Sequence, residues 1–189
     1  MHDHPEAPLS PEHLDAGTLE FLQAVFDAAR ADDAARLAPL LQRGLPPNLR
    51  NQKGDSLLML ASYHGHLRTA RLLLEHGADP ELRNDQGQTP LLGAAYQGDL
   101  SMVRLLLAHH ADVESPSPDG RTALMMAAMF GRAEIIEVLL AHGAHLGARD
   151  ARGMSVADAA RLMGAHDTAA ELEARMLRGR ATTAPGENP

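Results

Sequence analysis

The chain has 189 residues, 17 Lys+Arg against 25 Asp+Glu for a net charge of −8, 44% hydrophobic residues, no Cys, no Trp, 2 Tyr and 3 Phe. Without thiols there is no disulfide framework, thiolate nucleophile, zinc ribbon or iron–sulfur site. The negative balance repels phosphate backbones and no basic patch offsets it, so nucleic-acid binding is not expected. No stretch approaches 18 apolar residues and MHDHPEAPLSPEH lacks a signal-peptide pattern, so the expectation is a soluble, cytoplasmic protein. Lys53 is the sole lysine beside 16 arginines, a bias common in GC-rich bacterial genomes, which points to a bacterial source.

Self-comparison sets the register. Gly54, Gly87, Gly120 and Gly153 are each 33 residues apart, and Gly65, Gly98, Gly131 and Gly164 form a second ladder at the same spacing. From the N-terminus, residues 1–17 read as a tail, with Ser10-Pro11-Glu12 as a candidate helix start. Residues 18–50 read as a capping unit: Leu40, Leu41 and Gly44 precede Leu73, Leu74 and Gly77 by 33, and Arg36 and Arg43 mark a solvated outer side.

Three full units follow, at 51–83, 84–116 and 117–149. Each opens on a turn (Asn51 to Gly54, Asn84 to Gly87, Ser117 to Gly120), since Asn, Asp, Ser and Gly satisfy local backbone and accept turn geometry. Ser56, Thr89 and Thr122 are predicted N-caps, with Pro90 at the first helical position. A short helix (LLMLAS, PLLGAA, ALMMAA) stops at the second glycine ladder. A second helix with a wide Leu, Ile and Val stripe then ends at Gly77, His110 or Gly143. Residues 150–178 repeat the turn and the Ser155 cap but carry a heavily charged second helix, and read as the C-terminal cap. Residues 179–189 read as a disordered tail. The predicted class is all-α with short hairpin-like turns, a solenoid of stacked helix-turn-helix units of 33 residues.

GQTPLLGAAYQGDLSMVRLLLAHHADVES resembles an ankyrin repeat, and the segments beginning GDSLLMLASYHG and GRTALMMAAMFG repeat the same motif on either side. The resemblance covers roughly residues 21 to 175 and is similar to small single-domain bacterial ankyrin proteins. Where the family pattern has His after Thr-Pro-Leu, this chain has Met59, Leu92, Met125 and Asp158, so apolar contacts are expected there except at Asp158.

No phosphate loop, dinucleotide turn, His-Glu-x-x-His or Gly-x-Ser-x-Gly pattern occurs, so no enzyme and no cofactor is expected. The histidines at 76, 109 and 142 share one repeat position. Neighbouring helices sit about 10 Å apart and zinc ligands about 2 Å from the metal, so one ion cannot bridge that ladder. A place at the negative end of a helix dipole accounts for them.

Three of the aromatics fall in one column, just before the second glycine: Tyr63-His64, Tyr96-Gln97, Met129-Phe130. The resemblance implies that these positions, with the turn residues, look onto a concave partner-binding face. That face would comprise Gln52, Lys53, Asp55, Tyr63, His64, Asp85, Gln86, Gln88, Tyr96, Gln97, Arg121, Met129 and Phe130. Two roles remain open for Tyr63, Tyr96 and Met129: anchoring a partner, or packing the joints between repeats. The expected function is a non-enzymatic, monomeric protein-interaction module whose protein partner is not strongly acidic, given the chain's own charge. The resemblance also raises an accessory role in catalase-linked oxidative-stress defence, and the histidines raise a metal or pH sensor.

Overall fold

A computed structural model describes residues 15–182, with side chains as far as Arg178. Among these residues there are ten helices, α1 (Ala16–Arg30), α2 (Ala34–Gln42), α3 (Leu57–Tyr63), α4 (Leu67–Glu75), α5 (Pro90–Gln97), α6 (Leu100–Ala108), α7 (Ala123–Met129), α8 (Ala133–Ala141), α9 (Val156–Leu162) and α10 (His166–Thr182). The only extended pairing described is two isolated antiparallel bridges, Arg50 with Ser56 and Arg149 with Ser155. The helices pair as α1/α2 through α9/α10. Odd-numbered helices pack in succession along one layer, and α2, α4, α6 and α8 along the other. The solenoid read from the glycine ladders is therefore the observed architecture.

Each inner helix starts where its cap residue dictates. The Ser56 hydroxyl accepts from the Met59 amide at 3.0 Å, Thr89 from Leu92 at 3.4 Å, Thr122 from Met125 at 3.4 Å and Ser155 from Asp158 at 3.1 Å. These bonds satisfy donors that the first turn of a helix leaves free. Met59, Leu92 and Met125 are buried at 6%, 3% and 1% exposure, as their apolar character requires. Asp158 instead completes a capping box, its carboxylate accepting from the Ser155 amide and hydroxyl. The outer helices close on His76, His109 and His142. The rings of His76 and His142 donate from Nδ1 to the carbonyls of Leu72 and Val138, both at 2.8 Å, capping acceptors of the last turn.

The core is built in columns. Leu58, Leu91 and Leu124 are at most 1% exposed, Ala61, Ala94, Ala127 and Ala160 are at 0%, and Leu73, Leu106 and Leu139 are at 0%. Small Ala beside large Leu lets helices approach closely while the gaps fill at interior density. Ser62 breaks one column: Ala29, Ala95 and Ala128 occupy the equivalent places, and the Ser62 hydroxyl, 1% exposed, has no hydrogen-bond partner.

Polar ladders tie one repeat to the next along the loops. Asn48 accepts from the amide of Asp79 at 2.8 Å, Glu81 from Asp112 at 2.9 Å and Glu114 from His145 at 2.8 Å. Arg50 donates to Gly54 O at 2.9 Å within its own turn and to Arg83 O at 3.0 Å in the next repeat. Arg83 repeats the arrangement, bonding Gly87 O at 2.9 Å, the Ser115 hydroxyl at 2.6 Å and Pro116 O. The turns also meet directly: the Ala151 amide donates to Asp119 O at 2.9 Å. Gly120 is held there at φ +80°, and a Cβ on it would lie 2.6 Å from Ala151 N, so this glycine is required for the close approach as well as for its dihedral.

The ends differ from the expected boundaries. α1 begins at Ala16, within the stretch read as tail, because the Asp15 carboxylate caps it by accepting from the Thr18 amide at 2.9 Å. α10 runs on to Thr182, past residue 178, carrying Gly179 inside it at a cost of about 1 kcal/mol. The remaining tail and the Ser10-Pro11-Glu12 helix start lie outside the described residues. In the N-terminal cap Asp32 stands where the repeats have Gly65, Gly98 and Gly131, at φ 55°. Burial pushes its carboxyl up, but the Thr69 hydroxyl at 2.8 Å, the Thr69 amide and Arg68 outweigh this and hold it below the usual range. At the other end Arg175 bridges Glu137 at 2.5 Å and Glu171 at 2.6 Å, fastening α10 to α8 and lowering the Glu137 pKa.

Three outcomes test this account. Ser62→Ala removes an unsatisfied buried hydroxyl and should raise stability by about 1 kcal/mol, or about 2–4 °C in Tm. His110 has φ 66° where its counterparts are Gly77 and Gly143. A left-handed non-glycine costs about 1–2 kcal/mol, so His110→Gly should raise Tm by a similar amount. Arg83→Lys should lower stability by about 1–2 kcal/mol in thermal melts and speed amide exchange over residues 84–88, because an ammonium cannot reproduce the guanidinium fork.

Candidate functional site: a concave groove

The inner helices and the turns that project beside them enclose a groove of about 1110 Å³. Its floor is apolar, with Leu22 and Phe26 from α1, Met59 and Leu60 from α3, Leu92 from α5 and Met126 from α7. The wall opposite is made of turn residues, and their own bonds shape it. Asn51 Oδ1 accepts from the amides of Lys53 at 2.8 Å and Asp55 at 2.9 Å, and Asn84 Oδ1 repeats this with Gln86 at 3.1 Å and Gln88 at 3.0 Å. Such side-chain-to-backbone bonds fix the tips of the turns before any ligand arrives. In the third turn the Ser117 hydroxyl, followed in effect by Arg121, holds the Asp119 carboxyl below its usual range despite its partial burial.

Of the residues assigned to this face from the sequence, Gln52, Lys53, Asp55, Tyr63, His64, Gln86, Gln88 and Tyr96 line the groove. The others do not. Asp85 is turned to Arg50, at 3.0 Å, and Arg121 to Asp119, at 3.1 Å. Gln97 is exposed at the end of α5, outside the lining. Phe130 packs on Tyr96 with ring centroids 5.1 Å apart and planes nearly perpendicular, a T-shaped arrangement that aromatic quadrupoles favour.

The column of Tyr63, Tyr96 and Met129 divides. The tyrosines are 53% and 49% exposed, whereas Met129 is 9% exposed. Met129 is nearly covered and is not among the groove-lining residues. The tyrosines leave much of each ring free.

The groove also draws on residues the sequence reading missed. Thr18, Leu19, Leu22, Gln23, Phe26 and Arg30 of α1 close its N-terminal end. Their three- and four-residue spacing is a helical stripe, a signal present in the sequence but hidden because this cap lacks the opening turn that marks the register. Arg50 was missed as well, although Arg50, Arg83 and Arg149 recur on the 33-residue period, with Pro116 in the vacant place.

His64 and His66 stack with centroids 5.7 Å apart, and the Tyr63 ring stands edge-on to His64 at 5.5 Å. His66 Nε2 donates to Arg30 O at 2.7 Å and so ties this turn to α1. Among the described residues no group of three or more His, Cys, Asp or Glu converges to hold a metal ion. No described helix is long and apolar enough to cross a membrane.

Comparison with known proteins supports what this geometry suggests. Residues 25–117, 76–150 and 94–172 each match the family described as ankyrin repeats (3 copies). An ankyrin repeat protein of Pseudomonas aeruginosa is 66% identical over 59 residues, which are 31% of this chain and 34% of that relative. The chain thus spans about a third of the length of the relative it matches. With the 33-residue units, the paired helices and the family match in agreement from residue 25 to residue 172, the chain belongs to the ankyrin repeat family.

Proposed function

We propose that this protein is a non-enzymatic interaction module, monomeric and cytoplasmic, whose concave groove receives a segment of another protein. Ankyrin repeats generally mediate protein–protein interaction and are typically without catalytic activity. The observation that carries the reading is the pair of half-exposed tyrosines, Tyr63 of α3 and Tyr96 of α5, lining an apolar-floored groove. Tyrosine combines a large apolar ring with a polar tip and is enriched among residues that dominate binding energy. The turns are already held by Asn51, Asn84 and the arginine ladder, so binding demands little reordering of the backbone, which lowers its entropic cost.

The test is the double variant Tyr63→Ala, Tyr96→Ala. Each interfacial tyrosine is worth about 2 kcal/mol when it is an anchor, so capture of a partner from bacterial lysate should fall by more than tenfold while the melting curve stays within about 2 °C. A collapse of the melting transition would assign the two rings to packing instead.

A further inference from the structure

The turns at residues 51–54, 84–87, 117–120 and 150–153 stand side by side but are not joined in the same way. Between the first and second, the Asp85 amide donates to Lys53 O at 3.2 Å. Asn84 Nδ2 donates to the Asp55 carboxylate at 3.1 Å, and Arg50 to the Asp85 carboxylate at 3.0 Å. Between the third and fourth, the Ala151 amide donates to Asp119 O at 2.9 Å, and the two backbones close on each other at Gly120.

The middle joint cannot repeat these bonds. Pro118 stands in the place of Asp85 and Ala151, and a proline has no N–H to give to Gln86 O. It also has no carboxylate for Arg83, the counterpart of Arg50. Ser117 stands in the place of Asn84, and its hydroxyl is turned to Asp119 and to Arg121 O within its own turn. What meets at the tips is the Pro118 ring and the backbone of Gly87, where a Cβ would lie 2.4 Å from Pro118 Cγ. Such an apolar contact attracts without fixing a direction. The hydrogen bonds that do cross this joint lie at its base: Arg83 to the Ser115 hydroxyl at 2.6 Å and to Pro116 O, and Glu81 from the Asp112 amide at 2.9 Å. The inner helices beneath have no matching break, since α5 and α7 pack on each other as α3 and α5 do.

We propose that the wall of the groove is built in two sections that move relative to each other. The first two turns make one section and the last two the other, parted at the seam between Gln86 and Pro118 and pivoting where Arg83 holds the base. Asn84, Gln86 and Gln88 line the groove on one side of the seam and Ser117 on the other. A swing of the second section therefore widens or narrows the far end of the groove while the floor of packed helices stays in place. The first section, held by Asn51, Asn84 and Arg50, keeps its geometry throughout. This motion belongs to the free chain and does not depend on what the groove binds.

The chain has no cysteine, so introduced cysteine pairs carry spin labels without background. Gln86→Cys with Arg152→Cys spans two repeats across the seam, and Gln97→Cys with Met163→Cys spans the same two repeats along the ends of the inner helices. Every variant is first shown to melt cooperatively. Distances measured by pulsed electron paramagnetic resonance in frozen solution, which traps the conformers present, should be at least about twice as broadly distributed for the wall pair as for the helix pair. Pro118→Asp supplies both the missing amide and a carboxylate for Arg83, and should narrow the wall pair to the width of the helix pair. Pro118→Ala supplies the amide alone and should narrow it part of the way, which keeps the test decisive should Pro118→Asp fail to fold. Wall and helix pairs of equal width overturn the proposal. A broad wall pair that neither substitution narrows overturns it as well, because the motion then lies elsewhere than at this seam.

Discussion

No repeat in this protein can close its own core, and stacking on a neighbour is the constraint from which the rest follows. Ala61, Ala94, Ala127 and Ala160 show no exposed surface only because an adjacent pair of helices lies over them, and the same holds for Leu73, Leu106 and Leu139. A side chain larger than alanine in the inner column would push the helices apart; a smaller one than leucine in the outer would leave a void. That requirement explains the shortage of rings. Identical thin layers are filled by Leu and Ala, and the closure that disulfides provide in other small domains is supplied by the next layer.

Stacking also places the turns side by side, and there the bonding changes from apolar to polar. Arg50 and Arg83 each reach from one turn to the carbonyls of the following repeat, while Asn48, Glu81 and Glu114 accept amides from the loop beyond. The groove is thus bounded by a floor held by burial and a wall held by directional bonds. Departures from the repeat lie where one of these demands is relaxed. Asp32 takes a glycine position but gains Thr69 and Arg68 as partners, whereas His110 takes one with no hydrogen bond from its ring to offset the strain.

The distribution of charge follows the same division. Ion pairs at the ends, such as Arg175 with Glu137 and Glu171, fasten the terminal helix, and the arginines of the groove are partly spent on neighbouring carboxylates. What a ligand meets depends on which charges are left over at a particular place.

Spacing alone determined the period, the helix pairs, the four inner-helix caps and the glycine positions, because each depends on local geometry repeated at a fixed interval. It also marked Tyr63 and Tyr96 as neighbours on one column. Tertiary structure decided which side chains of that column reach water, leaving the tyrosines half exposed and burying Met129, since exposure depends on what the adjacent layer covers. It decided that α1 closes the groove, that Asp85 and Arg121 turn to partners of their own, and that Arg50 and Arg83 tie successive turns. A sequence shows which residues recur; which of them meet is set only when layers lie against each other.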